Sequence, residues 1–280
     1  MEHSDRSLMP SGKLTFFLIG IALLIVMTSL GVWSTKTVYY TFYKDEHGIT
    51  QKHAYAEHID LDTLKSIAPD TTSLYLYSSH IKDEDLKHLP PRLRKLTLRE
   101  TPVNGSGFQH LPQSLHELDI QRLKTIQYEN LKYLSPFLLT ALWMRLPEHA
   151  KNHYLNLLPK SIEKLGISGE CFLTHEDMAV LKTLPLQELY LDTCLLSAKS
   201  YDILVSIPLT KLTLRKSNMT DDTLIRLPRT LEDLTIDNAP SITPEAMKSL
   251  VKDLWKPKNI QLYNGDSRTQ SFRFPVEKQN

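Results

Sequence analysis

The most constraining feature of this chain is a leucine triplet, L-x-x-L-x-L, that returns every 22 to 24 residues. It reads LRKLTL from Leu93, LHELDI from Leu115, LTALWM from Leu139 and IEKLGI from Ile162. LQELYL from Leu186, LTKLTL from Leu209 and LEDLTI from Leu231 follow. A truncated copy, SLYL around Leu74, precedes the series, and a weaker one, NIQL around Leu262, ends it. The middle leucines are Leu74, Leu96, Leu118, Leu142, Leu165, Leu189, Leu212 and Leu234, at intervals of 22, 22, 24, 23, 24, 23 and 22 residues. A register held this tightly over seven intervals is that of a stack of like supersecondary units. Leucine accordingly makes up 48 of the 280 residues, against only 9 glycines.

Each unit also ends alike. A short stretch with apolar residues three apart runs into a proline: LKHLP at Leu86, FQHLP at Phe108, LKTLP at Leu181 and LIRLP at Leu224. Asp83, Thr174, Thr220 and Thr243 stand where such a helix needs an N-cap, and the proline stops it and pushes the preceding residue toward an extended backbone. A unit is therefore a strand, a turn, a short helix and a return. None can bury its leucines alone, and stacking buries a continuous core.

The pattern resembles the leucine-rich repeat superfamily over roughly residues 60–250. The resemblance implies an α/β solenoid with a curved parallel sheet on its concave side and short helices on its convex side. Where many such proteins carry a ladder Asn or Cys, this chain has Ser79, Thr101, Cys194, Ser217 and Ala239, with departures to Leu123, Pro147 and Glu170 in the middle units. Small or hydroxyl residues there are closest to the cysteine-containing and ribonuclease-inhibitor-like subtypes. Cys171 and Cys194 fall one position apart in register on neighbouring repeats. A disulfide is open to them outside the cytosol, and the simpler expectation is two buried small side chains.

Ahead of the repeats, residues 14–33 carry no charge. At about 1.5 Å per residue such a helix spans roughly 30 Å, the hydrocarbon thickness of a bilayer. The run is long for a cleaved signal, ends in Trp33 and lacks an Ala-x-Ala site, so residues 14–34 read as a transmembrane helix or signal-anchor. The expected organisation is a tail over 1–13, the span over 14–34, a cap over 35–69, the repeats over 70–263 and a flexible tail over 264–280. Within the cap, TVYYTF and ITQKHAY around a turn at Asp45 read as a hairpin. Arg6 and Lys13 before the span nearly balance Lys36 and Lys44 after it. The short tail against one large folding unit places the repeats on the non-cytosolic side of a single-pass membrane protein.

Hydrophobic residues at 41% with a net charge of +1 exclude a disordered tail protein and argue against a nucleic-acid partner. His149 and His153 share a helix spacing, but Ala150 stands where a zinc protease needs its glutamate, so they read as surface residues. His88 and His110 lack a third ligand. The Asp83-Glu84-Asp85 run lacks the spacing and glycine of a calcium loop, and reads as a helix start. The Asn104–Gly107 stretch does not follow a strand into a phosphate loop and reads as a repeat turn; it and Asn218-Met219-Thr220 match glycosylation acceptors. No catalytic constellation, cofactor, metal or small-molecule substrate is indicated.

What remains is a surface. Residues flanking the last two triplet leucines point to the concave face. One row runs Tyr75, Thr97, Asp119, Trp143, Gly166, Tyr190, Thr213 and Thr235, and the next runs Tyr77, Arg99, Gln121, Arg145, Ser168, Asp192, Arg215 and Asp237. Aromatics and arginines dominate binding hot spots. The expected partner-binding residues are Trp143 with Arg145, supported by Tyr190, Arg99, Arg215, Tyr75 and Tyr77. The function they point to is non-catalytic binding of a protein by a membrane-tethered repeat domain. The alternatives are a secreted effector or host-interaction factor released after signal cleavage, and an adaptor that delivers substrate to an enzyme.

Overall fold

A computed structural model describes residues 36–44, 50–147, 154–243, 245–246, 259–263 and 270–273. Twelve strands form one sheet whose spatial order is the chain order. Strands β1 (Thr37–Lys44) and β2 (Thr50–Glu57) form an antiparallel hairpin. From β2 the sheet is parallel through β3 (Ser73–Tyr77), β4 (Lys95–Arg99), β5 (Glu117–Arg122), β6 (Ala141–Arg145) and β7 (Lys164–Leu173). It continues through β8 (Glu188–Leu196), β9 (Lys211–Arg215), β10 (Asp233–Asp237) and β11 (Asn259–Tyr263). Strand β12 (Gln270–Arg273) pairs antiparallel with β11. These four residues lie within the stretch 264–280 read from sequence as a tail.

The middle leucines pair with one another across the sheet, Leu74 with Leu96, Leu96 with Leu118, and so on to Leu234 with Ile260. Their alternation puts all of them on one face, where they are almost wholly buried together with Leu93, Leu115, Phe108 and their equivalents. Each buried leucine contributes about 1.5–3 kcal/mol relative to exposure. The repeat reaches further toward the N-terminus than the leucines reveal. Ala54 and Ala56 of β2 stand level with Leu74 and Leu76, so β2 is a repeat strand with alanine in the leucine positions.

Helices close the other side. α1 (Leu61–Ser66), α2 (His175–Lys182), α3 (Ala198–Leu204) and α4 (Asp221–Leu224) are α-helical, whereas Asp83–His88, Phe108–His110, Tyr128–Leu134 and Leu155–Leu157 are 3-10 turns. Asp60, Thr174 and Ser197 cap the first three α-helices with their side chains. Asp83 does something else. Its carboxylate accepts the backbone N–H groups of Asn104, Gly105 and Gly107 at 2.8–2.9 Å, so it ties one repeat to the turn of the next. A Cβ on Gly107 would stand 2.1 Å from the Asp83 carbonyl oxygen, which explains that glycine. Asp221 accepts from Thr243 in the same manner.

Within or just after six strands one residue takes a left-handed conformation, so that the ladder side chain that follows turns back into the core. His58, Ser78, Glu100, Thr193, Lys216 and Asn238 hold φ between 45° and 60°. Two strands solve the same problem with an extra residue. β5 gains one between Asp119 and Arg122, and β7 gains one between Ser168 and Cys171, where Gly169 adopts φ +115°. Ser79, Thr101, Leu123, Cys194, Ser217 and Ala239 are buried in the ladder as expected. Pro147 and Glu170 are exposed, and Leu146 and Cys171 occupy the interior in their place.

The bulge on β7 decides the cysteines. It brings Cys171 level with Cys194, with Cα atoms 4.6 Å apart, and the two form a disulfide. The expectation of two separate thiols is thereby corrected; the one-residue offset in sequence is absorbed by Gly169. Replacing both cysteines by serine is expected to lower stability by about 3 kcal/mol, as for a loop of this length, read by denaturant unfolding with and without reductant. Conversely, Lys216→Gly relieves a left-handed lysine, and a gain of about 0.5–1 kcal/mol in the same assay is the expected outcome.

Candidate functional site

The sheet face opposite the leucines carries three rows of polar and aromatic side chains. The first row is a charge lattice. Lys95 pairs with Glu117 at 2.9 Å, Lys164 with Glu188 at 2.8 Å, and Lys211 approaches Glu188 at 3.8 Å. The hydrogen bond that Lys164 donates to Glu188 raises its amine above its ordinary value. At the N-terminal end of this row, burial and then the Lys95 charge lower His53 below its ordinary 6.5.

The seven predicted residues fall into separate groups rather than one cluster. Tyr75, Tyr77 and Arg99 come together: the two rings lie 6.5 Å apart, and the Arg99 guanidinium lies 5.3 Å from the Tyr75 ring and 3.4 Å from Asp119. Tyr190 and Arg215 form a second group. The Tyr190 hydroxyl donates to Asp192 at 3.2 Å and accepts from Arg215 at 3.4 Å, while Arg215 also holds Asp237 at 3.0 Å. Trp143 lies across Gly166, where a Cβ would stand 2.3 Å from Cδ1, and Lys95 sits 5.8 Å from its ring. The glycine is therefore what lets the indole lie down on the sheet. Between Trp143 and Tyr190 runs a cleft of about 200 Å³. Arg145 does not join Trp143; it projects from the next row, exposed, near the Tyr128 phenol and without an ion pair among the described residues.

Two tyrosines extend the first group. Tyr55 lies 5.8 Å from Tyr75, and Tyr39, paired with Tyr55 across the hairpin, is half exposed. The alternation HAYAE carried this information, but alanines stand where the leucine pattern would flag a strand. Arg122 was also missed. Without the bulge Gln121 would pair with Arg99, and with it Arg122 does.

His88 and His110 end successive 3-10 turns on the helical side, and no cluster of three metal-ligating side chains occurs among the described residues. His149 and His153 lie outside the described residues, as does the apolar segment 14–34. Among the described residues no helix is long and apolar enough to cross a membrane. Asn218 uses its amide structurally, donating to the Leu196 carbonyl and accepting from the Leu196 N–H and the Tyr201 hydroxyl.

The parallel ladder, the inward leucine columns and the short helices settle the architecture. The fold is leucine-rich-repeat-like. No family model matches the chain, and no curated protein matches it. Among solved structures it is similar to internalin C2 from Listeria monocytogenes, at 22% identity over 66% of this chain and 80% of that one, with a TM-score of 0.47. It is also similar to CroV588, a circular leucine-rich repeat protein, at 13% identity over 80% of this chain and 41% of that one, with a TM-score of 0.32. A chain of the complex of Latrophilin 3, Unc5D and the leucine-rich repeat protein FLRT2 matches at 16% identity, over 66% of this chain and 73% of that one, with a TM-score of 0.37. Similarities of this size leave the fold resting on the chain's own register.

The lowered His53 gives a pH signature. Between the ordinary value and its folded value the unfolded chain binds the proton and the folded chain does not, so stability falls as pH drops below about 6.5. His53→Gln is expected to flatten that part of the profile, measured as Tm against pH.

Proposed function

We propose that this chain is a non-catalytic binding module, tethered to a membrane through residues 14–34, that engages a protein partner across the polar face of its sheet on the non-cytosolic side. The observation that carries the reading is the sheet face itself. Half-buried Tyr75, Tyr77, Trp143 and Tyr190 lie on it, with Arg99 and Arg215 held in place by Asp119 and Asp237. Aromatic and arginine side chains fixed on a rigid ladder lose little conformational entropy on binding, which is what hot-spot residues require. The Cys171–Cys194 disulfide supports an oxidising compartment for the repeats. The uncharged run 14–33 supports the tether.

Two measurements test the reading. Full-length protein expressed in its native host is expected to stay with the membrane with an uncleaved N-terminus and repeats open to protease only from the non-cytosolic side. Release of a chain shortened before about residue 35 would make it a secreted factor instead. In quantitative cross-linking on such cells, Trp143→Ala and Tyr190→Ala are expected to reduce partner capture at least tenfold, about 1.4 kcal/mol each, whereas Leu138→Ser, an exposed change off this face, leaves it intact. Equal capture by all three variants would refute the sheet face as the binding surface.

A further inference from the structure

The sheet is interrupted at one place. β5 and β6 pair at Glu117 with Ala141, Leu118 with Leu142 and Asp119 with Trp143, and no pairing continues beyond. The bulge on β5 turns the strand away, and the Tyr128 hydroxyl takes over the Arg145 carbonyl at 2.6 Å. Burial holds the Tyr128 phenol up to about 12, so it remains a donor throughout the neutral range. Arg122 and Arg145 stand on either side of this gap, one on each strand.

Both arginines line both of the depressions that flank the gap, one of about 600 Å³ and one of about 330 Å³. Their situation differs from that of the other arginines on the face. Arg99 is held by Asp119 and Arg215 by Asp237, but neither Arg122 nor Arg145 forms an ion pair with a carboxylate among the described residues. Around the two depressions four cations, Arg122, Lys124, Arg145 and Lys216, face three carboxylates, Glu100, Glu170 and Asp192. Among the described residues the excess is positive, which complements an anion. The larger depression is also walled by Leu123, Ile126 and Pro147, so the group beside the anion is apolar.

We propose that Arg122 and Arg145 form a two-guanidinium fork for a glutamate or aspartate side chain of a protein partner, set next to an apolar residue in an extended segment. The occupant being a protein rests on the binding-module reading; the fork and its charge preference do not. A guanidinium is planar and donates to a carboxylate in a bidentate manner, and two of them at a break in the ladder, without an ion pair among the described residues, offer such sites.

The test uses full-length protein in neutral detergent and a fluorescent peptide of alternating glutamate and leucine, blocked at both ends, followed by anisotropy against a baseline of protein-free micelles. Saturable binding is expected, weakened at least tenfold by Arg122→Gln and by Arg145→Gln and less than twofold by Arg226→Gln, an exposed arginine that follows α4 on the helical side. Arg145→Lys is expected to lose affinity as well, because a point charge cannot reproduce the fork. The glutamine–leucine analogue is expected to bind at least tenfold more weakly. All variants should keep the parent Tm, since both side chains are exposed. Absence of saturable binding, equal losses at Arg122, Arg145 and Arg226, equal binding of the glutamine peptide, or displacement by inorganic sulfate but not by acetate at matched ionic strength would each overturn the proposal. Loss of partner capture by Trp143→Ala with an Arg-independent peptide would sink the fork alone. An Arg-dependent peptide with unaffected capture would sink only the wider reading of the face.

Discussion

Everything in this structure depends on the parallel ladder keeping its leucines level. A single unit of 22 to 24 residues has one row of apolar side chains and no second layer to cover it, so it gains its core only from the neighbours on either side. Because side chains alternate along a strand, a slip of one residue would send Leu96 and Leu98 to the solvent face and Thr97 and Arg99 to the core. The penalty for such a slip recurs at every strand. That is why the register from Ala54 to Ile260 is unbroken at the middle leucine position even where other parts of the repeat vary.

Variation is confined to the ends of the strands, and there it has a common cause. The chain must turn from the strand so that one more small residue enters the core. A left-handed residue does this in six repeats, at a conformational expense that non-glycine side chains bear. The bulges of β5 and β7 do it by adding a residue, and they correspond to the two 24-residue intervals in the leucine series, Leu118 to Leu142 and Leu165 to Leu189. The consequences differ. On β7 the extra residue sets Cys171 against Cys194 and closes a disulfide, and the two strands run on together to Leu173 and Leu196. On β5 it cuts the pairing with β6 short and leaves Arg122 and Arg145 lining the same two depressions.

The charges of the exposed face follow the same division. Lysines, glutamates, arginines and aspartates at equivalent positions of adjacent strands neutralise each other where pairing is regular, as in Lys95 with Glu117 and Arg215 with Asp237. Half-exposed pairs of this kind add little stability, but they fix the side chains that flank Trp143 and Tyr190. Where the ladder is interrupted, Arg122 and Arg145 form no such pair among the described residues.

The sequence by itself determined the solenoid, the strand register and the rows of the exposed face, because leucine burial repeats with a fixed period and strand geometry converts that period directly into position. It also placed Trp143, Tyr190, Arg99 and the other candidates on one face. It could not determine which of them meet, since Trp143 reaches back to Lys95 and lies over Gly166 rather than joining Arg145. Nor could it reveal β2 as a repeat strand, whose alanines lack the leucine signal, or the pairing of Cys171 with Cys194. Those were decided by tertiary structure, because a 24-residue interval shows that a residue has been added but not where in the unit it falls, and its place shifts the pairings beyond it by about 3.3 Å along the strand.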